Sequence, residues 1–267
     1  MANWSILIRF LVISDTHNFE FDSASGEFCL PVPKVDVVLH CGDLTNVGGF
    51  SSFKMALKML GTNRTIDAEK KLVISWNHDL DLDKEYWRSS LLKGDDPVEV
   101  EKEHLEEHAT AMGIITGPLA TEVGVTYLEE GKITHFFTLK SGAKFSVYVL
   151  LYQPEFKNWA FSYDHKNDRF NLPGQVAKGV ESIAQHPVPD SQESISWWPM
   201  DLRRGFWTNT SKETWDSKIY FELRVAQGQD YIVLGISMRD MARSWLRRTP
   251  WRSSRRQILT QSQISHA

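Results

Sequence analysis

The chain has 267 residues, 42% of them hydrophobic and 24% charged. This is the mixture of a globular protein with enough chain to bury a sizeable core, and it excludes a disordered, a collagen-like or a polytopic membrane chain. Thirty basic against 34 acidic residues leave a net charge of −4, so the whole molecule has no bulk attraction to nucleic acid or anionic lipid.

Ile6 to Ile13 is apolar except for Arg9, which predicts a strand buried on both faces. It is too short to span a bilayer. Cys29 and Cys41 make no disulfide framework. The chain therefore reads as cytoplasmic, with no membrane partner. Val35 to His40 predicts a second strand, halted by Cys41-Gly42-Asp43. Phe53, Leu57 and Leu60 fall at helical spacing between Phe50 and Leu60, with Gly61 as the stop. Lys71 to Ser75 predicts a third strand, and the strand–helix–strand order argues for a parallel βαβ unit. Asp83 to Gly113 reads as mostly helical. Its acidic run is a solvated face, and His104 and His108, four apart on it, read as exposed. Thr126 to Leu151 reads as short strands around Glu130-Gly131 and Ser141-Gly142. Trp159, Phe161 and Tyr163 read as core aromatics rather than a substrate wall.

Composition changes near residue 190. Six of the ten tryptophans fall in the last 77 residues, and after His186 the only histidine is His266. Seven arginines lie between Arg239 and Arg256. No folded reader motif accompanies them, so this basic stretch is not read as a nucleic-acid interface.

Three short segments follow the three predicted strands: Asp15-Thr16-His17, Gly42-Asp43 and Asn77-His78-Asp79. Ligands bind at the carboxyl ends of strands in open α/β sheets. Two aspartates, a histidine and an asparagine suit Mn²⁺, Fe or Zn²⁺. A shared carboxylate can bridge two ions about 3.5–4 Å apart, and such a pair clamps both sides of a phosphoryl displacement. Gly42 lets the backbone approach closely. His40, at a strand end, reads as structural or as orienting a ligand. Each fragment alone also has a plain reading: Asp15 as a turn residue, His17 as a surface histidine, Asn77 as a helix N-cap. Their order, each behind an apolar strand, is what is specific.

The pattern D-x-H, G-D, N-H-[DE] resembles that of the calcineurin-like metallophosphoesterases. The wording is closest to the metallophosphoesterase-domain-containing branch in Arg9–Asn18, His40–Thr45, Asn77–Asp83 and Tyr152–Tyr163. The resemblance runs from about residue 5 to about residue 190, which sets a phosphoesterase domain over 5–190 and a divergent tail over 191–267. It implies an α/β sandwich, two mixed sheets flanked by helices. It also implies that Asp15 and His17 hold one ion, Asp43 bridges, Asn77 holds a second, and His78 is the general acid or a transition-state donor. The nucleophile would be a hydroxide on the ions, and the substrate a small-molecule or nucleotide phosphomonoester or phosphodiester. The alternative is a non-catalytic relative that serves as a binding or scaffold module.

Two departures stand out. Trp76 occupies the position where the family has glycine, and its bulk is expected to tilt Asn77 or crowd the site. The tail also lacks the family's H-G-P-P and G-H-x-H segments. Both can be recovered by one shift of reading frame. Codons for Ser196–Arg203 read from the last base of the serine codon permit M-V-A-H-G-P-P. Codons for Leu234–Ser244 in the same offset permit G-H-F-H-E-G-Y-G-A-E. Residues from about 191 are therefore read as translated out of frame. On this reading the chain lacks three histidine ligands, holds at most one weakly bound ion, and lacks the strands that would close its sheets.

Overall fold

The fold comes from a computed structural model that describes residues 6–18, 34–61, 66–131, 134–155, 157–185 and 187, together with the backbone of strands at 194–197, 218–225 and 230–235. The apolar run forms β1 (Ile6–Ile13), as predicted. The second predicted strand is β2 (Val37–Cys41), the helix is α1 (Phe50–Gly61) and the third strand is β3 (Lys70–Ile74). β1, β2 and β3 pair in parallel, and β4 (Val125–Tyr127) extends the sheet beside β3. Continuous apolar strands suit this position because both faces of the sheet are covered.

The second sheet holds β5 (His135–Thr138) and β6 (Lys144–Leu150), paired antiparallel. Phe10 of β1 meets Phe145 of β6 edge-on at 5.5 Å, and one hydrophobic core runs between the sheets. On the other side, α1 buries Phe53, Ala56, Leu57, Met59 and Leu60. The region from Asp83 contains α2 (Trp87–Ser90), α3 (Pro97–Ile115) and α4 (Pro118–Glu122). Asp96 caps α3 by accepting from the Val98 amide at 2.9 Å. Two short pairs follow, β7 (Gln153–Pro154) with β8 (Ser162–Tyr163), and β9 (Asn167–Asp168) with β10 (Glu181–Ser182).

The tail overturns one expectation. β11 (Ser194–Trp197), β12 (Lys218–Val225) and β13 (Asp230–Gly235) are present. β12 runs antiparallel along all of β1, from Ile6 opposite Val225 to Ile13 opposite Lys218. β13 lies parallel between β6 and β11. The strand orders are β12-β1-β2-β3-β4 and β11-β13-β6-β5, so both sheets are mixed and β1 is not an open edge. Ladders are made by backbone groups, and Ile219-Tyr220-Phe221 and Tyr231-Ile232-Val233 are β-favouring residues whatever their origin. The architecture is the expected α/β sandwich.

His104 corrects a second expectation. It is 7% exposed rather than on the solvated face, and its Nε2 donates to the Asp83 carbonyl at 2.7 Å. His108 is partly buried, and its Nδ1 donates to the Asp81 carbonyl at 2.9 Å. Both lie on the inward stripe of α3 with Ala111 and Ile115.

Candidate metal centre

The loops after β1 and β2 run side by side. Asp15, His17 and Asn18 donate their amides to the carbonyls of Gly42, Asp43 and Leu44 at 3.1, 3.0 and 3.0 Å. This zipper requires left-handed backbone at Asp15, His17, Asn18 and Asp43, with φ of 55°, 44°, 59° and 55°. Asp, Asn and His tolerate that region better than most residues, and non-glycine residues held there cluster at functional sites. Gly42, at φ 89°, is under a stricter constraint. A Cβ there would lie 2.5 Å from the Trp76 Cβ and 2.9 Å from the Ser75 carbonyl carbon. The ends of β2 and β3 thus approach as closely as a glycine allows.

That zipper brings the acidic and imidazole groups together. His17 Nε2 lies 4.0 Å from Asp15 Oδ1 and 3.9 Å from Asp43 Oδ2. A cation bonded at ~2.1 Å to each of two ligand atoms joins atoms up to ~4.2 Å apart, so both pairs are within its span. His17, Asp43 and His78 form a group whose ligand atoms all lie within 4.8 Å of one another. The two imidazoles also touch, edge to face, at 4.6 Å.

Two consecutive carbonyls orient both rings. His17 Nδ1 is 3.1 Å from the Thr45 carbonyl, and His78 Nδ1 is 2.6 Å from the Asn46 carbonyl. A carbonyl only accepts, so in the neutral form of each ring Nδ1 carries the proton and Nε2 has the lone pair. That is the tautomer and the support of a metal-ligating histidine. Burial also holds the His78 imidazole below its usual range. His40 is fully buried, and its Nε2 meets the Thr16 hydroxyl at 3.0 Å. Burial, with His17 nearby, pushes its pKa down to about 3, so it stands behind the Asp15–His17 turn as a neutral ring.

Asp43 is 2% exposed and accepts the His78 amide at 3.0 Å. Burial, with the charges of Asp79 and Asp15, pushes its carboxyl up to about 9. A divalent cation removes that penalty by supplying the missing positive charge. The donor set of carboxylate and imidazole fits Mn²⁺, Fe or Zn²⁺. Asn77 is nearly buried beside His78, and its carbonyl accepts the Ala160 amide at 3.2 Å. Trp76 enters the hydrophobic core, 6% exposed.

Asp79 is a residue whose role the sequence reading missed. It is fully buried. Its Oδ1 accepts the Thr45 amide at 3.0 Å and lies 3.1 Å from the Thr45 hydroxyl; its Oδ2 accepts the amides of Trp76 at 3.0 Å and Leu44 at 3.3 Å. It ties the loops after β2 and β3 to each other. Trp159 was also undervalued: it stacks on His78 at 3.9 Å. Cys41 is buried, and burial, with Asp15 nearby, pushes its thiol up to about 12, so it is not a reactive thiolate. Cys29, His186 and His266 lie outside the described residues.

Among the described residues no helix is long and apolar enough to cross a membrane. Residues 8–217 match the sequence model of the calcineurin-like phosphoesterases, a family that generally uses divalent metals. Metallophosphoesterase domain-containing protein 1 of Homo sapiens and that of Mus musculus are each 26% identical over 198 residues, 73% of this chain and 52% of the relative. The chain spans about half the length of the curated relatives it matches. The breadth of the family match, over the sheet ends that carry Asp15, His17, Asp43 and His78, makes the chain a member of the calcineurin-like phosphoesterase family.

Proposed function

We propose that the chain is a metal-dependent hydrolase of phosphomonoester or phosphodiester bonds, with small-molecule or nucleotide substrates. One observation carries this: His17 and His78 are pinned through Nδ1 by adjacent carbonyls, and both rings lie in one ligand group with the buried Asp43, the ligand atoms all within 4.8 Å of one another. Asp15, His17, Asp43 and Asn77 would hold divalent ions. When bound, such ions polarise the phosphoryl oxygens and make a nucleophile available near neutral pH. The His78 ring lies in the same group as His17 and Asp43. The negative charge of a bound phosphate would oppose the burial that lowers the His78 pKa, and a protonated His78 would supply the proton that the leaving oxygen takes.

The tail qualifies the activity of this chain. After His186 only His266 remains, and a set of Asp15, His17, Asp43 and Asn77 leaves open coordination positions. At most one ion, weakly held, is expected. The same proposal includes the divergence of 191–267 from the 5–190 domain through a shift of frame. The nucleotide sequence over codons 185–245 tests it: bases that do not spell the two histidine motifs in one alternative frame refute it. A cytoplasmic location completes the proposal; two cysteines without a disulfide framework support it.

The scarcity of histidines favours a second reading, a non-catalytic binding module on the same fold. Purified chain assayed with Mn²⁺ on p-nitrophenyl phosphate and bis-p-nitrophenyl phosphate separates the two. The hydrolase reading expects slow turnover, its loss in Asp43→Asn, and a gain when the frame is restored. No turnover in either the chain or its frame-restored form supports the binding module.

A further inference from the structure

We propose that Trp159 is a positioning residue for His78, held against the imidazole by a strap that Asp83 locks in place. The proposal rests on the hydrolase reading for the chemical role of His78.

Four contacts define the placement of the amide and ring of His78. Its amide donates to Asp43 at 3.0 Å, Nδ1 donates to Asn46 at 2.6 Å, one ring contact is with His17 at 4.6 Å, and the other is with the Trp159 indole. A single hydrogen bond at Nδ1 fixes one edge of the ring and leaves it free to rock about that edge. An aromatic plane at 3.9 Å, tilted 32°, blocks that rocking. Nε2 is the atom whose position the rocking changes most, and it is the atom the site uses.

The strap explains how the indole is kept there. Phe161 donates its amide to Asp83 Oδ2 at 2.7 Å, and its carbonyl accepts the Gln153 amide at 2.8 Å. Ala160 donates to the carbonyl of Asn77, the neighbour of His78. The Tyr86 hydroxyl donates to the Asn158 carbonyl at 3.4 Å. The strap is therefore bonded on both sides of Trp159. Two of its residues, Lys157 and Phe161, sit at φ of 56° and 51°, a cost that the surrounding bonds must over-determine. The Asp83 carboxylate, 4% exposed, also accepts the Glu85 amide at 3.0 Å. Trp159 itself is only partly buried, so core packing alone does not account for its ring.

The test compares Trp159→Leu and Trp159→Phe in the full chain, with Trp159→Met in place of the leucine variant if that does not fold. The first readout is the His78 ring proton resonances, assigned by their loss in His78→Gln. The indole ring current shifts them upfield, so they are expected to move downfield in Trp159→Leu and part of the way in Trp159→Phe. The second is turnover of bis-p-nitrophenyl phosphate with Mn²⁺. A fall of about 10- to 100-fold in kcat is expected for the leucine variant, the range for losing a group that orients a ligand. KM should change little, and phenylalanine should restore most of the rate. Unmoved His78 resonances in Trp159→Leu overturn the positioning role whether or not the chain turns over. Phenylalanine as damaging as leucine, with equal losses of thermal stability, assigns Trp159 to structure alone and also overturns it. Where the chain itself does not turn over, kcat is read in the frame-restored chain: an unchanged kcat in Trp159→Leu overturns the positioning role, and no turnover in that form refutes the hydrolase reading.

Discussion

Asp79→Ala tests whether the centre is assembled by one buried carboxylate. Asp79 accepts the amides of Thr45 and Trp76 at 3.0 Å, the weaker Leu44 amide at 3.3 Å, and lies within hydrogen-bond reach of the Thr45 hydroxyl. Alanine leaves the two short amide donors without an acceptor in a site that is fully buried. Each such orphan costs ~1–3 kcal/mol, so a loss of ~2–6 kcal/mol is expected. That is a large part of the ~5–15 kcal/mol by which a domain is stable. Asparagine keeps one acceptor oxygen and should lose about half as much, since Thr45 bonds to Oδ1 and the other two amides to Oδ2. The assay is urea unfolding of the metal-free chain near neutral pH, with midpoint and slope both fitted. A loss under ~1 kcal/mol for Asp79→Ala, the value of an ordinary surface bond, would refute the reasoning.

Gly42→Ala should cost ~2–5 kcal/mol by the same assay, from left-handed backbone plus a Cβ forced 2.5 Å from that of Trp76; a neutral effect would mean the sheet ends separate easily. Stability should also depend on pH. Asp43, raised to about 9, binds its proton more tightly in the folded state, so its contribution is full in acid and declines as pH rises toward 9. His40, lowered to about 3, acts oppositely: its contribution is full above its ordinary 6.5 and is lost as pH falls toward 3. The metal-free chain should therefore lose stability from pH 6.5 toward 9, and saturating Mn²⁺ should flatten that decline, because the cation replaces the proton on Asp43. A metal-free chain that gains stability over this range contradicts the assignment.

Much of the fold was legible because buried parallel strands write themselves as continuous apolar runs. β1 matches its run from Ile6 to Ile13, and β2 and β3 begin and end within two residues of their predicted bounds. The site segments were legible because each follows such a strand. Asp79 was quoted only as part of a motif, since its work depends on two loops meeting, and no local pattern reports that. His104 was misread because the acids around it dominate α3, although 104, 108, 111 and 115 form a helical stripe that could have marked the inward face. Trp159 lies in a strap whose course depends on the distant Asp83. The tail strands were missed because their pairing uses the backbone, which the change of composition after residue 190 leaves intact.

If His17, Asp43 and their neighbours converge on a place for a divalent ion, manganese should bind there. Manganese binding followed by electron paramagnetic resonance, on the chain and on Asp43→Asn, tests it most directly. Asparagine preserves the volume and the bond to the His78 amide, and removes the charge. One weakly held Mn²⁺ per chain is expected and, in Asp43→Asn, a loss of affinity at least as large as the ~10- to 100-fold that follows removal of a group supporting a ligand. Equal affinity in the two proteins, or no bound Mn²⁺ in the unaltered chain, would contradict it.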